Sequence, residues 1–183
     1  TLKKLERLNE AIASYRQALA LKPDYAKAHY NLGNTLKKLE RLNEAIASYR
    51  QALALKPDYA KAHYNLGNTL KKLERLNEAI ASYRQAIALK PDFAEAHSNL
   101  AITLQGLGRL DDALVSHTQA IALKPDFAEA YSNFAFTLHD LGKFEEAIQF
   151  FKKAIELNPN FATAHYNLSY TFLSYGMLKE GFN

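Results

Sequence analysis

The chain contains no cysteine, which excludes a disulfide framework and any zinc site built on thiolates. No apolar run approaches the ~20 residues that a membrane helix needs, and no stretch has the character of a signal peptide. Both absences lead to the expectation of a cytoplasmic protein with no membrane span. A glycine-rich phosphate loop, a nucleophile paired with a base and an isolated carboxylate pair are also missing. The sequence therefore implies no catalytic role and no cofactor.

What the chain has in place of these is repetition. Residues 1–25 recur unchanged at 35–59, and residues 26–59 recur at 60–93 with only Leu53→Ile87 and Tyr59→Phe93. Pro23, Pro57, Pro91, Pro125 and Pro159 then keep a spacing of 34 residues to the end. A fixed period of this length means stacked supersecondary units, each packed on its neighbours, and places function in an extended surface. We expect one domain over residues 1–183, with a partial repeat at 1–25, full repeats at 26–59, 60–93, 94–127 and 128–161, and a partial one at 162–183. The first residues, Thr1-Leu2-Lys3-Lys4, fall in mid-repeat, which reads as a chain cut from a longer array.

Charge is uneven along the repeats. Residues 1–93 hold 17 Lys/Arg against 9 Asp/Glu, a balance of +8, whereas residues 94–183 hold 6 against 10, a balance of −4; together they give the net +4. Such bipolarity can steer an acidic ligand to the first half or promote head-to-tail association. It also follows from copying the same lysines.

Within residues 26–59, Ala28, Leu32, Leu36 and Leu39 fall on one face of a helix, and Ala45, Ile46, Tyr49, Ala52 and Leu53 on the inner side of a second, from Asn43 to Leu55. Lys56-Pro57-Asp58 stops the second helix, and Asp58 is placed to cap the next. Small residues at Gly33, Gly67, Ala101, Ala135 and Ser169 mark where helices touch. Gly108, Gly142 and Gly176 sit where a left-handed helix cap is expected; Glu6, Glu40 and Glu74 replace them in the duplicated half, predicting a different turn there.

The order of Leu32, Gly33, Ala45, Tyr49, Ala52 and Pro57 resembles the tetratricopeptide repeat, across essentially the whole chain. The resemblance implies an all-α, right-handed superhelical solenoid of antiparallel helix pairs. His29, His63, His97, Tyr131 and His165 stand where the family often has Trp. AHSNL (96–100), AIASYRQA (45–52) and LKPDFAEA (89–96 and 123–130) are most similar to the repeats of O-linked N-acetylglucosamine transferases and related bacterial proteins. In those proteins an asparagine from each first helix lines the inner groove and holds an extended peptide. The matching residues are Asn31, Asn65, Asn99, Asn133 and Asn167. No catalytic domain follows in this chain, so the resemblance carries no glycosyl transfer.

Asparagine is a poor helix-interior residue, so propensity does not explain a row of them. A primary amide offers two donors and an acceptor, matching the N–H and C=O of an extended peptide unit. The alternative is that each amide bonds a neighbouring repeat and stabilises the stack. Around the row, Lys27, Tyr30, Asn34, Lys38, Lys61, Tyr64, Asn68 and Lys72 should share the concave face, followed by Glu95, Ser98, Ile102, Glu129, Ser132, Phe136, Asp140, Tyr166 and Tyr170. The expected partner is a protein or peptide in extended conformation. A second peptide mode of the family clamps a C-terminal carboxylate. Asn34 with Asn65 fits its asparagines, but its cationic positions are not filled.

Other signals weigh less. The four histidines at 34-residue spacing lie in separate repeats and cannot converge on one metal, so they read as packed-face residues, as does His117. His139 is placed to reach the groove alone. Lys3, Lys4, Lys37, Lys38, Lys71 and Lys72 could form a phosphate stripe, but charge reversal in the second half disfavours nucleic acid. The end helices, with Phe172, Leu173, Met177, Leu178 and Phe182 at the C-terminal end, leave a homo-oligomer open.

Overall fold

A computed structural model describes the backbone of residues 2–181 and the side chains of residues 5–176. Among these residues the chain forms helices and no strand: α1 (Leu2–Leu21), α2 (Ala26–Lys38), α3 (Leu42–Leu55), α4 (Ala60–Lys72), α5 (Leu76–Leu89), α6 (Ala94–Gly106), α7 (Leu110–Leu123), α8 (Ala128–Asp140), α9 (Phe144–Leu157) and α10 (Ala162–Gly181). They form two compact units, residues 1–91 and 92–183.

In the first unit α2 lies along α3 and α4 along α5, while α1 packs on α2 and α3 on α4. Buried Ala28, Leu32, Gly33 and Leu36 of α2 supply one side of a pair; Ala45, Ile46, Tyr49 and Ala52 of α3 supply the other. In the second unit α6 lies along α7 and α8 along α9, with α7 on α8 and α10 on α9. A core of Ala135, Leu138, Ala147 and Phe151, each at most 2% exposed, joins α8 to α9. Helices α2 and α4, and separately α6, α8 and α10, make the first-helix layers that carry the asparagines.

The turns correct the sequence-based expectation. Glu40 and Glu74 have φ of +56° and +57°, beside +71° and +73° at Gly108 and Gly142. All four turns close alike: the N–H three residues past the helix donates five residues back, as from Arg41 to Leu36 (3.0 Å) and Arg109 to Leu104 (3.0 Å). Packing of the helix pair imposes one geometry and the glutamates bear the strain. Capping also differs, because the residue preceding α4 is Tyr59, which makes no side-chain cap bond. Asp58 lies one residue too early and accepts instead through its backbone, from Ala60 N–H at 3.1 Å.

At two places the turn is not made at all. Residues 1–25 and 35–59 are identical, yet α1 runs straight through Glu6 whereas α2 ends at Lys38 and Glu40 makes the left-handed turn. Residues 26–34 supply Ala28, Leu32 and Gly33, which anchor α2 against its partner. Without such an anchor, unbroken helical hydrogen bonds cost less than a left-handed glutamate. Gly176 is likewise helical within α10 rather than a left-handed cap. Phe182 lies outside the described residues, and Met177 and Leu178 outside those with described side chains.

Candidate functional site

In the first unit the asparagines of α2 and α4 meet in one network. Asn34 Oδ1 accepts from Tyr49 Oη at 2.8 Å and from Asn65 Nδ2 at 2.9 Å, and Asn65 Nδ2 also donates to Tyr30 Oη at 3.0 Å. Both amide hydrogens of Asn65 are thus spent across the repeat boundary, which leaves its Oδ1 as an acceptor. The Asn34 Nδ2 group makes no hydrogen bond among the described residues and remains a donor. Burial, reinforced by the nearby Tyr30, pushes the Tyr49 phenol well above its usual range, so it stays a donor. Tyr30 stacks obliquely on Tyr59 with ring centroids 4.7 Å apart. Tyr83 Oη repeats the bond to Asn68 Oδ1 at 2.8 Å. Half-buried Asn31 makes no side-chain hydrogen bond among the described residues, and exposed Lys27, Lys38, Lys61 and Lys72 flank the face.

The second unit presents a different surface. At the place of Asn34 and Asn68 stand Ile102, Phe136 and Tyr170, half-buried, 38% and 50% exposed. Asn99, Asn133 and Asn167 are half-buried on α6, α8 and α10. The Asn133 and Asn167 amides have no side-chain partner among the described residues. Each lies beside an exposed aromatic, Phe136 and Tyr170, and Tyr166 is 72% exposed. His139 does not reach out alone as expected: its Nδ1 lies 3.1 Å from Thr171 Oγ1, which donates to the Asn167 carbonyl at 2.7 Å. Its ring sits among Phe136, Phe144 and Tyr170.

The family model described as "TPR repeat" matches residues 1–40, 33–74, 67–108, 106–142 and 137–176. The chain belongs to the TPR repeat family. No curated protein sequence matches it. Among similar solved structures is MamA, 28% identical with a TM-score of 0.82 over 87% of this chain and 94% of that one. YrrB, described as a TPR protein with an unusual peptide-binding site, is 29% identical with a TM-score of 0.79 over 91% and 86%. A thermophilic TPR protein of Thermus thermophilus, TTC0263, is 26% identical with a TM-score of 0.71 over 94% of each chain.

Several side chains take places in this TPR framework that differ from their sequence-based assignment. Ser98 and Ser132 are 3% exposed, too short to emerge between larger neighbours, and do not line the face. Lys37 and Lys71 are partly buried, which lowers their pKa; for Lys37 the charges of Lys72 and Lys38 add to this. Lys72 is paired with Glu40 at 2.8 Å. Of the lysines expected in a phosphate stripe, Lys37 and Lys71 are thus partly withdrawn, Lys72 is paired and Lys38 is exposed, while Lys3 and Lys4 lie outside the residues with described side chains. The repeat histidines serve the turns: Nε2 of His29, His63 and His165 lies 2.9, 3.0 and 3.0 Å from the carbonyl of the proline six residues earlier. A carbonyl only accepts, so Nε2 carries the proton.

Two contributors escaped the sequence reading. Thr35, Thr69, Thr103, Thr137 and Thr171 each donate Oγ1 to the backbone carbonyl of the row asparagine four residues earlier. The other is the second-helix tyrosine. Tyr49 goes with Asn34 and Tyr83 with Asn68, but His117 goes with Ile102 and Phe151 with Phe136. The hydroxyl and its amide acceptor are present or absent together within each TPR unit, a signal available in the repeat alignment.

Proposed function

We propose that this TPR chain is a non-enzymatic scaffold that holds an extended segment of another protein by its backbone, along the asparagine-bearing faces of its first helices. The observation that carries the reading is the pair Asn133 and Asn167, partly exposed amides with no side-chain partner, flanked by exposed Phe136, Tyr166 and Tyr170. An amide supplies both halves of a peptide hydrogen-bond pair, and the aromatics supply apolar contact with little rotamer entropy to lose. In the first unit the complementary groups are the Asn34 donor and the Asn65 acceptor, with Tyr30 and Tyr64 beside them. The peptide-binding site named for YrrB supports a similar role in this chain.

The face of the first unit carries Lys27, Lys38 and Lys61, and that of the second Glu95, Glu129 and Asp140. Ligand segments with acidic residues suit the former and basic ones the latter. The test is binding to an unbiased peptide library, repeated with Asn133→Ala plus Asn167→Ala. Loss of two hydrogen-bonding amides should weaken binding roughly tenfold or more, at about 1 kcal/mol for each bond. Melting should stay level or rise slightly, because these amides hold no other side chain and alanine is the better helix former. Undiminished binding by the double variant would remove the asparagines from the mechanism.

A further inference from the structure

In the first unit α4 packs on both α3 and α5, but α3 and α5 do not pack on each other. Between them, on the second-helix side, lies an open cleft of about 420 Å³. Its floor is Leu66 of α4, 7% exposed, with His63 beside it. Leu53 of α3 forms one wall, and Ala81, Ser82 and Gln85 of α5 form the other. Ser82 adds nothing polar to the cleft, because its Oγ donates to the Glu78 carbonyl of its own helix at 2.9 Å. The equivalent place in the second unit is filled. Tyr131, Phe134 and Phe150 stand there at the positions of His63, Leu66 and Ser82, two repeats on. The Phe150 ring meets Phe134 edge-on with centroids 4.6 Å apart and stacks on Tyr131 at 6.2 Å.

We infer that this cleft is a second docking site, which takes an aromatic side chain flanked by a carboxylate on a segment of another protein. Phe150 shows what fits: a ring set against the floor residue and stacked on the ring beside it, here Leu66 and His63. His63 is fixed for that contact, since its Nε2 is hydrogen-bonded to the Pro57 carbonyl at 3.0 Å. Charge at the rim selects the flanking group. Arg84 lines the cleft and makes no hydrogen bond or ion pair among the described residues, whereas Arg50, at the same position of α3, is held by Glu78 at 3.0 Å. A carboxylate beside the ring gives Arg84 the kind of partner that Arg50 already has. The +8 balance of residues 1–93 favours the approach of such a segment. The site lies on the second-helix side, so it does not rest on the reading of the asparagine faces.

The test is NMR titration of the chain with N-acetyl-aspartyl-phenylalanine amide. One buried ring and one exposed ion pair suit a dissociation constant on the order of 1 mM. The amide signals of Leu53, Leu66 and Ser82 should shift together. N-acetyl-lysyl-phenylalanine amide should bind roughly two- to fivefold more weakly. Ser82→Phe should place a ring in the cleft as Phe150 does, keep the fold by circular dichroism, and weaken the probe roughly tenfold or more. Arg84→Glu changes only the exposed rim and should reverse the preference between the two probes, which keeps the test decisive if Ser82→Phe does not fold. Sedimentation velocity without a probe examines the other occupant, a second copy. Shifts at Asn65 and Asn133 without those at Leu66 and Ser82 would put the probe on the asparagine faces. That result, no shift at all, undiminished binding by folded Ser82→Phe, an unchanged preference in Arg84→Glu, or self-association that Ser82→Phe abolishes would each overturn the inference.

Discussion

The ring of Tyr49 occupies the space that a side chain on Gly33 would need: a Cβ there would lie 2.7 Å from Tyr49 Cε1 and 2.8 Å from Cδ1. The ring cannot retreat freely, because its hydroxyl is bonded to Asn34 on the same helix as Gly33. Gly33→Ala should therefore destabilise the chain by roughly 1–3 kcal/mol, the range for overpacking a close helix contact. Removing the tether should relieve it. In a double-mutant cycle with Tyr49→Phe, the alanine should cost less in the Phe background, as Ala135 against Phe151 already suggests. Additive melting shifts would mean that the hydroxyl does not hold the ring in place.

Glu40 combines a left-handed backbone, φ +56°, with a negative charge at a helix C-terminus, and both are unfavourable. Its exposed ion pair with Lys72 offsets little of this. Glycine removes the strain but loses more backbone entropy on folding, so Glu40→Gly should gain about 0.5–1 kcal/mol. Urea unfolding of Glu40→Gly against Glu40→Ala separates the terms. Alanine removes the charge and keeps the strain, and should recover only a minor part of the gain.

Most of the fold is legible because the period is explicit: Pro57 and Pro91 place the inter-repeat turns, and the small residues at Gly33, Gly67 and Ala101 place the helix contacts. The turns at Glu40 and Glu74 were not legible, since propensity argues against a left-handed glutamate while tertiary packing overrides it. Residues 1–25 make the same point, because the sequence that bends at 35–59 stays straight in α1. At the candidate site, the helix face of the row follows from the spacing. The spending of Asn65 donors on Tyr30 and Asn34 does not, because it depends on how α4 sits beside α2.

Asn65 and Asn133 occupy equivalent positions but should respond differently to truncation. Asn65→Ala removes two hydrogen bonds and leaves Asn34 Oδ1 with Tyr49 alone. At about 1 kcal/mol per half-buried bond, the expected loss is roughly 1–2 kcal/mol. Asn133→Ala removes no side-chain bond and replaces a poor helix former by the best, so its stability should stay level or rise by a few tenths of a kcal/mol. Thermal melting of the two single variants distinguishes them. Equal losses would imply that Asn133 has a structural partner in solution.

His117 fills the second-helix site held by Tyr49, Tyr83 and Phe151, is 0% exposed, and has no hydrogen-bond partner at either ring nitrogen among the described residues. Ile102 stands where an asparagine would answer it in the first unit. Burial in this apolar setting lowers the His117 pKa from 6.5 to about 4. Above pH 6.5 the ring is neutral whether the chain is folded or not, and contributes no pH dependence. Between 6.5 and about 4 the unfolded chain takes up the proton first, so stability falls with falling pH. Below that the loss levels off at about 3 kcal/mol. Phenylalanine fits the site, as Phe151 shows, and leaves no polar atom unpaired. His117→Phe should be more stable at neutral pH by about 1–3 kcal/mol. Its advantage should widen across the acidic window while carboxylate titrations affect both proteins alike. Paired urea melts at neutral pH and near pH 4 measure that widening. An advantage that stays constant would mean that the imidazole meets a partner in solution that holds its proton in the folded state.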